Sequence, residues 1–168
     1  VIVFEGPTDT LIPQQGEEIR EQERLNAAKF FTTPTGEKII DFGQEITGYV
    51  EIELDAKAGE QVVLSFAEVM DKHGNFYNEN YRSAKSEYKY ICKDGKQKYK
   101  PKFTFYGFRY VRIDQFPGGI SNAKKENFTA VVVHSQMERV GYLHSSNPLL
   151  NKLFDNVIWG QKGNFLDI

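Results

Sequence analysis

The carboxylates of this chain are its first candidates for chemistry. Two nearby carboxyl groups, one held protonated and one ionised, form an acid–base pair that protonates a leaving group and activates water. The sequence offers two such pairings: Glu68 with Asp71 after "VVLSFA", and Glu79 with Glu87 around "NFYNENYRSAKSE". A second chemistry lies in the same tract. "NFYNENYR" places Tyr77, Asn78, Asn80, Tyr81 and Arg82 within six positions, a mixture of rings, amides and guanidinium suited to gripping vicinal hydroxyls. Each feature also has a plainer reading. Glu68 follows a strand, where a carboxylate caps a loop or pairs with a base. The Asn-rich tract can be pinned by its own amide hydrogen bonds or lie against a neighbouring domain.

Other chemistries are poorly served. Three scattered histidines and "DKHGN" lack the ligand spacing of a zinc or calcium site, so no metal or other cofactor is expected. His134 in "VVVHSQ" reads as a satisfied sheet residue, and the single cysteine, Cys92, as a small apolar filler that excludes an internal disulfide. No Gly-rich phosphate loop, nucleophile elbow or Cys–His pair is present. Twenty-one Lys and Arg against twenty-three Asp and Glu leave no net field to attract nucleic acid or an anionic membrane. No stretch approaches the ~20 apolar residues of a membrane span. The opening "VIVFEGPTDTLIP" does not have the layout of a signal peptide, and the compartment is left open.

The elements that must position these groups read as strands. At 168 residues, with thirteen Phe and nine Tyr, the chain suits one aromatic-rich β core. Residues 1–16, with Pro7, Pro13 and Gly16, read as an extended connector. "EEIREQERLNAAKFFTT" has helix-compatible composition, but its strand-like surroundings favour strand. Val50, Ile52 and Leu54 alternate with Glu51, Glu53 and Asp55, and Val62, Leu64 and Phe66 repeat the pattern after the "AKAGE" turn. The tract 70–86 reads as a long loop, "EYKYICKDGKQKYKPKF" as a hairpin turning at Asp94-Gly95, and "FTFYGFRYVRIDQF" as a strand. Gly107 should mark a bulge or a close backbone approach in it. Arg109 and Arg112 read as salt-bridged sheet residues. "NFTAVVVHSQM" and "RVGYLHSS" complete eight or nine strands, the pattern of an antiparallel jelly-roll-like β-sandwich. Asn127-Phe128-Thr129 matches a glycosylation acceptor by chance within a strand. At the end, Asn147-Pro148 signals a helix start, Leu150, Leu153, Phe154, Val157 and Ile158 form one stripe, and Gly160 and Gly163 punctuate its end. Such a helix cannot bury its stripe alone, and the chain looks like an excised piece of something longer.

Three motifs in order, "FAE" with "GNFYNENYR", "YGFRYV", and "VVHS" leading to "NVIWGQKGN", make the chain resemble bacterial α-L-rhamnosidases of glycoside hydrolase family 78. The likeness runs from about Asp41 to the last residue. It implies a multidomain enzyme in which β-sandwiches precede an (α/α)6 barrel that hydrolyses terminal α-L-rhamnosyl bonds with inversion, its catalytic carboxylates in the barrel. On that basis residues 17–145 would form a concanavalin-like β-sandwich and residues 146–168 the first helix of the barrel, with Trp159 packing between domains. No catalytic residue carries over, and the piece is expected to be inactive alone. Its partners would be the barrel of the same chain and a rhamnose-containing glycan touching Glu68, Tyr77, Asn78, Asn80 and Arg82 at a pocket rim. The exposed helix would favour self-association. The alternative is a free-standing carbohydrate-binding module.

Overall fold

A computed structural model describes residues 3, 6, 10 and 12–166. Half of the expected connector, Pro7 included, lies outside the described residues, and residues 12–18 carry no strand or helix. Ten strands follow: β1 (Ile19–Asn26), β2 (Lys29–Thr32), β3 (Lys38–Ala56), β4 (Gln61–Ala67), β5 (Val69–Met70), β6 (Phe76–Tyr77), β7 (Glu87–Ile91), β8 (Gly95–Tyr99), β9 (Tyr106–Gln115) and β10 (Phe128–Ser135). The helix α1 (Pro148–Asn164) ends the series. All ladders are antiparallel, and the fold is the mainly β, jelly-roll-like sandwich that the sequence pattern predicts.

The long strand β3 creates the curl. Ile39–Asp41 pair with β2 on one edge and β9 on the other, whereas Ile52 pairs with β10 and β8. One strand therefore serves two halves of the sheet, and the path β1-β10-β3-β9-β4-β7 folds over its own inner face. Val50, Ile52, Leu64 and Phe66 are fully buried there, as the period-2 alternation requires. Phe66 stacks on Tyr106 at 4.2 Å and meets Phe108 edge-on at 4.9 Å. Gly48 lets the halves approach: a Cβ there would lie 1.9 Å from the Val131 carbonyl oxygen.

The charged segment 19–26 is strand β1 because its backbone completes the ladder to β10, and tertiary pairing overrides helix propensity. Its charges are used on the outer face, where Arg24 pairs with Glu51 and Lys100 with Glu21. Arg109 and Arg112 are ion-paired as expected, with Asp41 and with Glu37 and Asp114. Cys92 is buried in the core. The Asn127 side chain donates to the Glu53 carbonyl oxygen at 2.7 Å and accepts from the Lys124 N–H at 2.8 Å.

Three expectations need correction. β7 and β8 do not form a hairpin: β7 pairs with β4 and β8 with β3. The Gln97 side chain holds this corner, donating to the carbonyl oxygens of Lys93 and Gly95 and accepting from Tyr90. "RVGYLHSS" is not a strand but an irregular strap, since β1 and β3 already occupy both edges of β10. Gly160 and Gly163 do not end α1, which continues to Asn164. Asn147 does cap its start, accepting from the Leu149 N–H at 3.0 Å with Pro148 at the first turn. Among the described residues, no helix is long and apolar enough to cross a membrane.

Candidate functional site

The site begins at a bulge. Between Asp41, opposite Tyr110, and Ile46, opposite Phe108, β3 carries extra residues that have no partner in β9. Asp41 starts the detour. Its carboxylate accepts two bonds from Arg109, at 2.8 and 3.0 Å, and one from the Gly43 N–H at 2.7 Å. Burial would raise the Asp41 carboxyl, but the hydrogen bonds and charge of Arg109, with the Gly43 N–H, hold it below the usual carboxylate range. Gly43 takes the left-handed conformation, φ +79°, which a side chain would strain.

The bulge delivers Glu45 to one face of β9, where Glu68 arrives from the end of β4. A Cβ on Gly107 would lie 3.6 Å from the Glu68 Oε1 and 4.0 Å from the Glu45 Oε1. The two carboxylates stand over Gly107 at ordinary contact distance, and Gly107, in register with Thr47, marks neither the bulge nor the close backbone approach expected of it. Tyr81 donates its hydroxyl to the Gly107 carbonyl oxygen at 3.0 Å, and the Asn80 amide reaches Glu68 at 3.4 Å. Across a cleft of about 420 Å³ stand Asn156, Trp159, Gly160, Gly163 and Asn164 of α1. The helix is pinned where Thr47 donates to the Gly163 carbonyl oxygen at 2.9 Å, the Ser135 N–H donates to the Phe165 carbonyl oxygen, and Lys162 pairs with Glu23. Trp159 packs against the sandwich core with the Lys162 ammonium 4.2 Å from its ring centre.

Glu45 is solvent-accessible, yet its carboxyl sits in the cleft. Desolvation there and the charge of Glu68 push it up to about 7, with Arg109 partly opposing. Burial and the two carboxylates also raise the Tyr81 phenol, keeping it a donor.

The structure brings together only part of the predicted set. Glu68 and Asn80 meet at the cleft. Tyr77 lies on β6, paired with Val69, and Asn78 precedes a short 3-10 turn. Arg82 follows that turn with φ +57°. The side chains of Tyr77, Asn78 and Arg82 make no hydrogen bond or ion pair with the other described residues. Asp71 is occupied by a hairpin turn, accepting from the N–H groups of His73 and Asn75 at 2.8 Å each. His134 is buried, its Nδ1 2.8 Å from the Ser135 carbonyl oxygen and its Nε2 without a partner. Sequence reasoning missed Glu45. The available signal was Gly43 and Gly48 bracketing it within an otherwise continuous strand.

Glu45 and Glu68 superficially resemble an acid–base pair, with one carboxyl near neutrality. Inverting glycoside hydrolysis needs carboxyls roughly 6.5–9.5 Å apart on opposite faces of a sugar ring. Here each lies within 4.0 Å of one point above Gly107, close enough for the Glu68 charge to raise the Glu45 carboxyl.

Comparison with known proteins agrees with the motifs. Residues 31–134 match the family model "Bacterial alpha-L-rhamnosidase concanavalin-like domain". An α-L-rhamnosidase from Alteromonas sp. (strain LOR) is 43% identical over 164 residues, which is 96% of this chain and 18% of that protein. The structure of a native α-L-rhamnosidase from Aspergillus terreus superposes with a TM-score of 0.83 at 35% identity, covering 90% of this chain and 17% of that one. The Streptomyces avermitilis α-L-rhamnosidase complexed with L-rhamnose superposes with a TM-score of 0.85 at 34% identity, covering 94% and 15%. The chain spans under a fifth of the length of each of these three proteins.

Proposed function

We infer the role of this chain from the family to which it belongs, that of the bacterial α-L-rhamnosidase concanavalin-like domains. It serves as a non-catalytic β-sandwich of an α-L-rhamnosidase that hydrolyses terminal α-L-rhamnosyl bonds in glycans or glycosides. Its work is architectural: it packs against the catalytic part of the same polypeptide. The observation that carries this reading is that nearly the whole chain aligns with only 15–18% of proteins named for the activity. In this division residues 17–145 are the sandwich, 1–16 a connector, and 146–168 the first helix of the (α/α)6 catalytic domain.

Tyr77, Asn78 and Arg82 are the groups this reading leaves for a rhamnoside at the pocket rim, beside Glu68 and Asn80. A rim provides few of the contacts of an enclosed pocket, so the chain alone binds the sugar feebly. Titration of the isotope-labelled chain with L-rhamnose tests this by NMR. Shifts confined to residues 77–82 and saturating only near millimolar sugar are expected. Micromolar saturation would make the chain a carbohydrate-binding module instead.

A further inference from the structure

The two halves of α1 are held differently. The N-terminal half is fastened to the strap, where Asn151 exchanges two 2.8 Å hydrogen bonds with the backbone of Ser145. The C-terminal half lies over the cleft that holds Glu45 and Glu68. Its polar fastenings to the sheet are the bond from Thr47 to the Gly163 carbonyl oxygen, the bond from the Ser135 N–H to the Phe165 carbonyl oxygen, and the Lys162–Glu23 pair. The fit is close: a Cβ on Gly163 would lie 3.3 Å from the Thr47 Oγ1. Charge that appears in the cleft therefore acts on a half-helix held by a few contacts.

The surroundings of Glu45 leave such charge poorly balanced. Its carboxyl makes no hydrogen bond with the other described residues, and Glu68 of β4 receives the Asn80 amide at 3.4 Å. From β9, Arg109 attracts Glu45, but its guanidinium is already committed to Asp41 by two hydrogen bonds. The phenols of Tyr81 and Tyr110 also lie within the field of Glu45. From α1 the cleft is lined by Asn156, Trp159, Gly160, Gly163 and Asn164, none of them charged. The helix ends at Asn164, so that wall is the negative end of its dipole. Lys162, the basic residue of the last turn, is paired with Glu23 of β1. A neutral Glu45 suits this setting. An ionised one puts two like charges before a helix end of the same sign. The same forces raise the Glu45 carboxyl to about 7, and linkage runs both ways: whatever raises it in the closed cleft makes its ionisation favour an open one.

We propose that the cleft is a pH-sensitive latch, in which loss of the Glu45 proton beside Glu68 lifts the C-terminal half of α1 from the sandwich while Asn151 keeps the N-terminal half in place. Amide hydrogen exchange of the 168-residue chain, corrected at each pH for the intrinsic exchange rate, measures such local opening. Between pH 6 and pH 8 the protection of residues 159–164 should fall about fivefold in the parent, and less than about twofold in Glu45→Gln. Glu68→Gln removes the repelling charge, so it should move the fall to lower pH and flatten the same interval. It serves as the second variant should the first not fold. Protection of residues 159–164 that is independent of pH in the parent overturns the proposal. A fall that persists undiminished in the variants also overturns it, by placing the titrating group elsewhere. So does a fall in which residues 159–164 are as well protected as Val50 and Ile52 of the core, because exchange then reports unfolding of the whole chain.

Discussion

Replacing Glu45 with Gln should remove a pH dependence that the cleft imposes on stability. The Glu45 carboxyl is displaced from 4.5 to about 7 in the folded chain by desolvation and by Glu68. Because the folded value is raised, the associated stability is fully present below pH 4.5 and is lost as pH rises through 7. At about 1.4 kcal/mol per pH unit the displacement sets a ceiling of roughly 3 kcal/mol. Water reaches the mouth of the cleft, so screening reduces the expected effect to about 1 kcal/mol. Urea unfolding followed by circular dichroism at pH 5, 6, 7 and 8 should show the parent losing stability across this range relative to Glu45→Gln. At pH 8 the variant should lead by roughly 0.5 M in urea midpoint. Glu68→Gln should shift the loss toward lower pH, since it removes the repelling charge. Parallel pH profiles for parent and Glu45→Gln, or a variant less stable at pH 8, would refute the coupling of these two carboxylates.

Two further outcomes follow from specific contacts. Arg109→Met strips the partner from the Asp41 carboxylate, whose side chain is 5% exposed, and should cost about 3 kcal/mol in urea unfolding at pH 7. The Asp41 carboxyl is depressed in the folded chain, so its stabilising effect is present above 3.8 and fades as pH falls; a cost below about 0.5 kcal/mol at pH 7 would contradict the pairing. Leu149, Leu153 and Val157, exposed on α1, should make the isolated chain associate with itself as concentration rises, because covering each Leu or Val recovers roughly 1.5–3 kcal/mol. Light scattering should show this weakening on replacing Leu153 and Val157 with Ser while circular dichroism stays unchanged, and a parent that remains monomeric throughout would contradict it.

Side-chain period carried much of the fold. Alternation at Val50, Ile52 and Leu54 is a statement about which way a side chain points, and those residues are in the core. The Asn147-Pro148 start of α1 was legible because capping is local chemistry. Pairing partners were not, since period two is silent about neighbours. Asp94-Gly95 therefore looked like a hairpin turn when it is a corner between two halves of the sheet. Residues 139–146 alternate like a strand, yet no edge of β10 remained for them. Gly160 and Gly163 looked like a helix end because their local cost is visible, whereas the bond from Thr47 to Gly163 and the pinning of α1 to the sheet are not. The site was half legible. Glu68 and Asn80 stood out by type and position, but Glu45 reaches them only through a left-handed turn at Gly43, and of that bulge the sequence carries only the two bracketing glycines, Gly43 and Gly48.

The most direct test of the accessory-domain account is hydrolysis of an aryl α-L-rhamnoside by two proteins, the 168-residue chain at high concentration and the full-length protein at catalytic concentration. The account predicts turnover by the full-length protein and none by the chain. Turnover by the chain that vanishes in Glu45→Gln or Glu68→Gln would contradict it and would make the carboxylates above Gly107 catalytic.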